Sequence, residues 1–244
     1  MINQLKSALD AALNFIYPPV CRICEQERAT ASEGYVGGKC WSRLRFVKPP
    51  FCDRCGLPYE GSITHTFRCE NCAGIDFGFR FARSAVVANG MFLQVIHSYK
   101  YQRAVWFEPF LGDLLTRQAA PALAAEKWDM IVPVPLHPGK EREREFNQAE
   151  RLARRLGRTL GLPVRTRLVR RTRFTTTQTL LTRPERAANV KNAFAPRAGK
   201  QLDGEKVILV DDVMTTGATT SACARALRQC GAGDICVWTV ARGL

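Results

Sequence analysis

The chain has 244 residues, 46% of them hydrophobic, and a formal net charge of +14. This length and composition are typical of a globular protein with one domain of about 150 residues and a smaller module. The sequence contains neither an apolar stretch of roughly 20 residues nor the pattern of a signal peptide, so we expect a cytoplasmic protein without stable membrane insertion.

The first predicted element is an amphipathic helix over residues 2–16. Apolar residues recur there at three- and four-residue steps, and Pro18 and Pro19 follow the end of the pattern. A role at a membrane surface is one interpretation, but the polar face of this helix carries only one lysine. We therefore expect the helix to pack against the rest of the protein.

Cysteine is concentrated in the segment that follows this helix. Seven of the ten cysteines lie between positions 21 and 72, six of them in Cys-x-x-Cys pairs. In a chain without an export signal, this spacing favours metal binding over disulfides. Two of the pairs offer four thiolates and predict a structural zinc ribbon: Cys52, Cys55, Cys69 and Cys72. We assign the helix and this module to residues 1–78.

A second metal site is incomplete in the sequence. Cys21, Cys24 and Cys40 supply three thiolates. A Cys-x-x-Cys pair that ends at Cys40 would need a cysteine at position 37, where the chain has Gly37. Two interpretations stay open. Either another residue, such as His65, completes a second zinc site, or this half of the module has lost its metal and folds by packing.

Strands and helices alternate in the rest of the chain, residues 79–244. The predicted strands cover residues 81–89, 129–134, 206–211 and 235–240. The predicted helices cover residues 91–101, 105–119, 147–160 and 219–230. Strands separated by helices indicate an α/β fold in which a parallel sheet is flanked by helices.

Two loops of this domain have unusual compositions. A proline-rich turn from Val132 to Pro138 precedes a helix that Asn147 is placed to cap, and basic side chains surround it. The stretch 173–194 is long, polar and rich in threonine. In a compact domain, such a loop is typical of a mobile active-site lid.

The most informative segment is 207–220, an apolar strand followed by two carboxylates and a hydroxyl-rich turn. A strand without polar alternation suits a sheet covered on both faces, and ligands of such sheets bind beyond the strand ends. Asp211 and Asp212 stand at that end, where carboxylates suit sugar hydroxyls or a hydrated divalent cation. The next residues open a helix whose amide donors suit a phosphate group: Thr215, Thr216, Gly217, Ala218 and Thr219.

This segment resembles the phosphoribosyl diphosphate motif of the type I phosphoribosyltransferases. The resemblance implies that Asp211 and Asp212 bind the ribose hydroxyls and that the turn 215–219 holds the 5-phosphate. It also implies a Mg²⁺-dependent reaction in which diphosphate leaves the anomeric carbon. An ordinary connection between a strand and a helix is the alternative, and it accounts for less of the pattern.

The other motifs extend the resemblance to essentially the whole chain. With the cysteine pairs, the two loops and the segment Tyr99 to Tyr101, the chain resembles the competence-related ComF family of phosphoribosyltransferase-like proteins. The resemblance implies a type I phosphoribosyltransferase fold behind an N-terminal double zinc ribbon. It also implies phosphoribosyl diphosphate as a ligand and a role in natural competence, DNA uptake and nucleotide salvage.

The proline-rich turn resembles the family's diphosphate loop. The resemblance places a diphosphate near Leu136, His137, Arg142 and Arg144, with Lys100 reaching in. One position departs from the family, because Glu145 stands where glycine is usual before Phe-Asn-Gln. If the backbone is left-handed there, the glutamate is strained and its charge lies close to an anion site.

The segment from Lys140 to Arg186 carries 14 lysines and arginines against 5 acidic residues. This excess is typical of a groove that contacts a polyanion, and a solvated basic face is an equal alternative. Two hypotheses follow. The first is a Mg²⁺-dependent phosphoribosyltransferase. The second is an adaptor of the competence machinery that binds single-stranded DNA and uses the transferase fold as a ligand sensor, and one protein can combine both roles.

Overall fold

The structure is a computed structural model that describes residues 19–63, 65–72, 74–174, 190 and 192–244. The helix predicted over residues 2–16 lies outside the described residues, and so does most of the predicted threonine-rich lid. Among the described residues, no helix combines the length and the apolar character needed to cross a bilayer.

The described strands are β1 (Phe81–Val87), β2 (Met130–Pro133), β3 (Val169–Arg171), β4 (Phe194–Pro196), β5 (Lys206–Met214) and β6 (Asp234–Arg242). Four of them form a parallel sheet in the order β1-β6-β5-β2, while β3 and β4 form a separate antiparallel pair. The described helices are α1 (Gly38–Ser42), α2 (Gly90–Tyr101), α3 (Glu108–Leu123), α4 (Pro138–Arg144), α5 (Gln148–Leu160) and α6 (Ala218–Gln229). The expected α/β fold with a parallel sheet is confirmed.

Helices cover both faces of the sheet, as the apolar strand predicted. In β5, Ile208 and Val210 face a core shared with α3 and α5, whereas Val207 and Leu209 face a core shared with α6 and the β3-β4 pair. Successive side chains of a strand point to opposite faces, so a run of apolar residues without alternation requires cover on both sides.

The cysteine-rich segment covers the outer edge of the sheet. Val47 N donates a hydrogen bond to Ala85 O at 3.0 Å, and Val87 N donates one to Arg45 O at 2.7 Å, so residues 45–47 lie antiparallel to β1. An uncovered edge strand exposes unpaired amide and carbonyl groups. The N-terminal module therefore packs as an extension of the sheet.

Two features differ from the prediction. Helix α4 and the β3-β4 pair were not predicted, because α4 is a run of charged residues and β3 and β4 are short strands that pair across 22 intervening residues. Strand β5 also continues past the acidic pair to Met214, because β6 remains paired with it. Since β2 ends opposite Val210, both acids still project beyond the end of one neighbouring strand.

Candidate functional site

A cavity of about 1020 Å³ lies at the carboxyl ends of β2 and β5. Its wall includes residues 22–23, α2, the proline-rich turn, α4, the start of α5, β3, the end of β5 and the residues that follow β5. Its polar groups include two carboxylates, four cationic side chains near them and two hydroxyls of the turn after β5. These residues are Asp211, Asp212, Lys100, Lys140, Arg144, Arg171, Thr215 and Thr219.

The two carboxylates differ in their partners. Asp212 is buried, and its Oδ2 lies 2.8 Å from Lys100 Nζ in an ion pair. Asp211 Oδ1 accepts a hydrogen bond from the backbone amide of Asp212 at 2.9 Å. Burial raises the pKa of Asp211, and the negative charge of Asp212 raises it further, while Lys100 opposes the shift. The ionised form of Asp211 is therefore unfavourable in the cavity wall. A hydrogen-bond donor or a cation that binds beside it would stabilise that form.

The turn after β5 leads into the N-terminus of a helix. Gly217 has φ +79° and caps the N-terminus of the 12-residue helix α6. The left-handed conformation favours glycine, and a Cβ atom at this position would lie 2.8 Å from Met214 Cε and 3.2 Å from Phe77 Cε1, so the end of the Met214 side chain would have to shift. Thr215 and Thr219 line the cavity; Thr216, Gly217 and Ala218 are not in its lining and form the backbone of the turn.

Besides Lys100, the cationic side chains of Arg144, Arg171 and Lys140 line the same cavity. The guanidinium of Arg144 is buried, donates a hydrogen bond to Gln148 Oε1 at 3.1 Å and stacks over the ring of Tyr101. Burial lowers the pKa of Arg171, and it lowers the pKa of Lys140 together with the positive charges of Arg144 and Arg171. This crowding of like charges favours an anion between them.

Lys140 and Arg171 were not among the predicted site residues. The sequence marked them only as members of a basic stretch, because their place in the cavity depends on α4 and β3, which were not predicted. Leu136 lines the cavity, as do Lys100 and Arg144.

His137 and Arg142 are not part of the cavity lining. His137 caps α4, since its Nδ1 accepts a hydrogen bond from Gly139 N at 3.1 Å, and its ring meets that of Phe174 edge-on. Arg142 lies exposed on α4. Their predicted contact with a diphosphate stays a prediction, and the cavity lining does not include either side chain.

Asn147 behaves as the sequence suggested, whereas Glu145 does so in its backbone but not in the place of its charge. Asn147 Oδ1 accepts a hydrogen bond from Ala149 N at 3.0 Å and caps α5. Glu145 ends α4 in the left-handed region, with φ +67°. Its exposed carboxylate pairs with Arg103 Nη1 at 2.8 Å and is not in the cavity lining. The strain is therefore present, while the charge is neutralised by another loop.

One cysteine cluster has the donor set and dimensions of a zinc site. The Sγ atoms of Cys52 and Cys72, of Cys55 and Cys69, and of Cys69 and Cys72 lie 3.6 to 3.7 Å apart. A tetrahedron with Zn–S bonds of 2.3 Å has sulfur–sulfur edges of about 3.8 Å. The amide of Cys69 donates a hydrogen bond to Cys52 Sγ at 3.3 Å, as suits a thiolate ligand. These four residues fit the predicted structural zinc.

A second cluster gathers the three remaining thiols of the module. Cys21, Cys24 and Cys40 lie with the carboxylate of Glu27, all four ligand atoms within 4.8 Å of one another. His65, one of the residues considered for the fourth position, is not in this group. Glu27 was missed because it stands outside any Cys-x-x-Cys pattern.

The arginines of α5 are largely paired within the chain. Arg151 forms an ion pair with Glu108 at 2.6 Å, and Arg155 forms one with Asp113. Arg154 pairs with Glu150 one turn before it. This part of the basic stretch therefore joins α5 to α3, and less of its charge is available to a polyanion than the sequence suggested.

Comparisons with known proteins agree with both parts of the structure. Residues 12–73 match the double zinc ribbon domain, and residues 146–243 match the phosphoribosyl transferase domain. Competence protein F of Haemophilus influenzae is 30% identical over 91% of this chain and 96% of its own length.

Two further relatives extend the comparison. DNA utilization protein YhgH of Escherichia coli K12 is 32% identical over 93% of this chain and 98% of its own length. Competence protein ComFC of Bacillus subtilis is 29% identical over 83% of this chain and 82% of its own length. The chain thus belongs to the ComF family, with a zinc ribbon module and a phosphoribosyltransferase domain.

Proposed function

We propose that the chain binds phosphoribosyl diphosphate together with Mg²⁺ in the cavity at the end of β5, and transfers the phosphoribosyl group to a nucleophile. The observation that carries this proposal is that groups of three kinds line one cavity. Its wall combines a carboxylate pair, an anion turn and a cluster of cationic side chains, which are complementary to a sugar with phosphate groups at both ends.

Each part of the ligand has a partner in this wall. The amides of the turn 215–219, with the hydroxyls of Thr215 and Thr219, hold the 5-phosphate. Asp211 and Asp212 accept hydrogen bonds from the ribose hydroxyls. The diphosphate lies among the cationic side chains Lys100, Lys140, Arg144 and Arg171.

The same residues support the transfer reaction. As the bond between the anomeric carbon and the diphosphate oxygen breaks, its electron pair leaves with the diphosphate, and the carbon becomes positive. The carboxylates stabilise that positive charge and fix the sugar, while the cationic cluster stabilises the leaving group. A lone pair of the nucleophile then forms the new bond to carbon. Bound Mg²⁺, with the diphosphate and a carboxylate as oxygen ligands, would neutralise part of the leaving charge.

Calorimetry with phosphoribosyl diphosphate and Mg²⁺ tests the binding step. We expect saturable binding to the wild type and at least a tenfold loss of affinity in the double variant Asp211→Asn and Asp212→Asn. Asp203→Asn removes an exposed carboxylate outside the cavity and is the matched control. Absence of binding to the wild type, or equal binding to the double variant, would contradict the proposal.

The names of the relatives support a role linked to DNA use, and we propose that the reaction serves the salvage of nucleotides during DNA uptake. The alternative, an adaptor that binds single-stranded DNA, predicts DNA binding that weakens steeply with salt and is unchanged in the double variant. The ion pairs of α5 favour the enzyme, because they occupy arginines that such an adaptor would use.

A further inference from the structure

The carboxyl group of Glu27 fills the space into which a side chain at position 37 would project. A Cβ atom on Gly37 would lie 2.3 Å from Glu27 Cδ and 2.6 Å from Glu27 Oε1. Position 37 is also where a Cys-x-x-Cys pair that ends at Cys40 would have its first thiolate. The glutamate therefore stands in the place of the absent cysteine.

The distances to the three thiols suit one metal ion. The Sγ atoms of Cys21 and Cys40 lie 3.6 Å apart, and Cys24 Sγ lies 3.8 Å from Glu27 Oε1. With Zn–S bonds of 2.3 Å and a Zn–O bond near 2.0 Å, a tetrahedral site has edges of about 3.8 Å between sulfurs and about 3.5 Å between sulfur and oxygen. A carboxylate oxygen is an ordinary zinc ligand, so the donor set is chemically complete.

Backbone groups hold the carboxylate in this orientation. The amide of Lys39 donates to both oxygens of Glu27, at 3.1 and 3.0 Å, and the amide of Cys40 donates to Oε1 at 3.3 Å. A ligating carboxylate is commonly fixed by such outer hydrogen bonds, which set the direction of its free lone pairs. These hydrogen bonds orient the Glu27 carboxylate beside Cys24 Sγ.

We propose that Glu27 is the fourth ligand of a second structural zinc ion, held with Cys21, Cys24 and Cys40. Gly37 leaves room for the Glu27 carboxylate. This carboxylate, which comes from a different turn, takes the place of the thiolate that a cysteine at position 37 would supply. The module then keeps both metal ions despite the missing cysteine.

The second site also forms part of the wall of the cavity. Arg22 and Ile23, the two residues between Cys21 and Cys24, line the cavity at the end of β5. Arg22 N donates a hydrogen bond to Tyr35 O at 2.8 Å, within the same module. A metal ion that fixes the Cys21-to-Cys24 turn therefore fixes this side of the cavity.

Zinc content per folded chain, measured by elemental analysis after dialysis, tests the proposal. We expect about two zinc ions per chain in the wild type and about one in Glu27→Ala. Glu25→Ala removes a nearby exposed carboxylate outside the cluster and should keep both ions. A wild type with one zinc ion, or a Glu27→Ala variant that retains two, would overturn the proposal.

If Glu27→Ala folds poorly, a variant in which a cysteine replaces the carboxylate ligand still tests the proposal. The double variant Glu27→Ala and Gly37→Cys removes the carboxylate and offers the thiolate in its place, so we expect two zinc ions again. With Co²⁺ in place of zinc, this exchange should move the d–d absorption to longer wavelength and strengthen the sulfur charge-transfer band. Identical Co²⁺ spectra for the wild type and the double variant would show that no carboxylate ligand had been replaced.

Discussion

At the scale of single residues, the carboxyl group of Asp211 lowers the stability of the folded protein when it is ionised. Its pKa is raised by burial and by Asp212, so the folded protein binds a proton at Asp211 more tightly than the unfolded chain does. The unfolded carboxyl group ionises near pH 4. As the pH rises above that value, the unfolded state loses its proton first, and the folded state is progressively destabilised.

We therefore expect Asp211→Asn to stabilise the unliganded protein by about 1–2 kcal/mol more at pH 8 than at pH 5, because the difference in proton binding accumulates above pH 4. The asparagine keeps an oxygen that can accept the hydrogen bond from Asp212 N. Urea denaturation at both pH values measures the difference. A gain in the free energy of unfolding that is equal at the two pH values would show that the charge of Asp211 is not its cause.

Glu145 also lowers the stability of the folded protein. Its left-handed backbone is unfavourable for a residue with a side chain, whereas its ion pair with Arg103 is exposed and contributes little. We expect Glu145→Gly to raise the free energy of unfolding by about 0.5–1 kcal/mol. Glu145→Ala is the matched control, because it removes the same ion pair and keeps the strain. If the alanine variant is as stable as the glycine variant, backbone strain is not the cause.

At the scale of elements, the turn between β5 and α6 depends on one glycine. We expect Gly217→Ala to destabilise the fold by about 1–3 kcal/mol, because it adds a left-handed alanine and a contact with Met214 and Phe77. Gly204→Ala provides the comparison, since Gly204 has φ +84° and no atom within 4 Å of its added Cβ. The loss of thermal stability in Gly204→Ala measures the effect of the left-handed backbone alone. Any additional loss in Gly217→Ala measures the effect of the contact with Met214 and Phe77. Equal losses would exclude the contact.

The helices and strands that were predicted correctly are those whose apolar pattern lies within one continuous segment of the sequence. The apolar run 207–210 predicted a strand covered on both faces, and the periodic apolar residues of α5 with the cap at Asn147 predicted a helix and its start. Helix α4 escaped prediction because it is a run of charged residues without apolar periodicity, and the pairing of β3 with β4 escaped because it joins distant parts of the chain. The places of Lys140 and Arg171 in the cavity follow from those elements, so they escaped as well.

At the scale of the whole molecule, the zinc ribbon and the transferase domain share their interior. Cys21 and Cys40 are buried in the core that contains α3 and α5, whereas Cys52 and Cys55 are buried in the core that contains α6. The module therefore packs into both layers of the domain. Metal binding in the module should stabilise the whole fold for this reason.

Arg242, at the end of β6, joins the two parts directly. Its buried guanidinium donates hydrogen bonds to Cys55 O at 3.2 Å, to Met214 O at 3.1 Å and to the carbonyl of Thr215, and its Nη2 lies 3.7 Å from Cys55 Sγ. One positive charge thus contacts a thiol of the predicted zinc site and the carbonyls of the residues that lead into the turn 215–219. The cysteine cluster and the turn are held in a fixed relation by this side chain.

We expect Arg242→Met to lower the free energy of unfolding by about 2–4 kcal/mol, because a methionine of similar length cannot donate to the carbonyls of Cys55 and Thr215, whereas Met214 O keeps the hydrogen bond from Gly243 N. The affinity for phosphoribosyl diphosphate should fall as well, since the start of the turn 215–219 loses its contact with Arg242. Arg228→Met is the matched control, because Arg228 donates to the carbonyls of Gly78 and Ala232, away from the cavity. Urea denaturation and calorimetry measure the two effects. If Arg242→Met lost stability but bound the sugar diphosphate as the wild type does, the arginine would hold the fold together without positioning the turn.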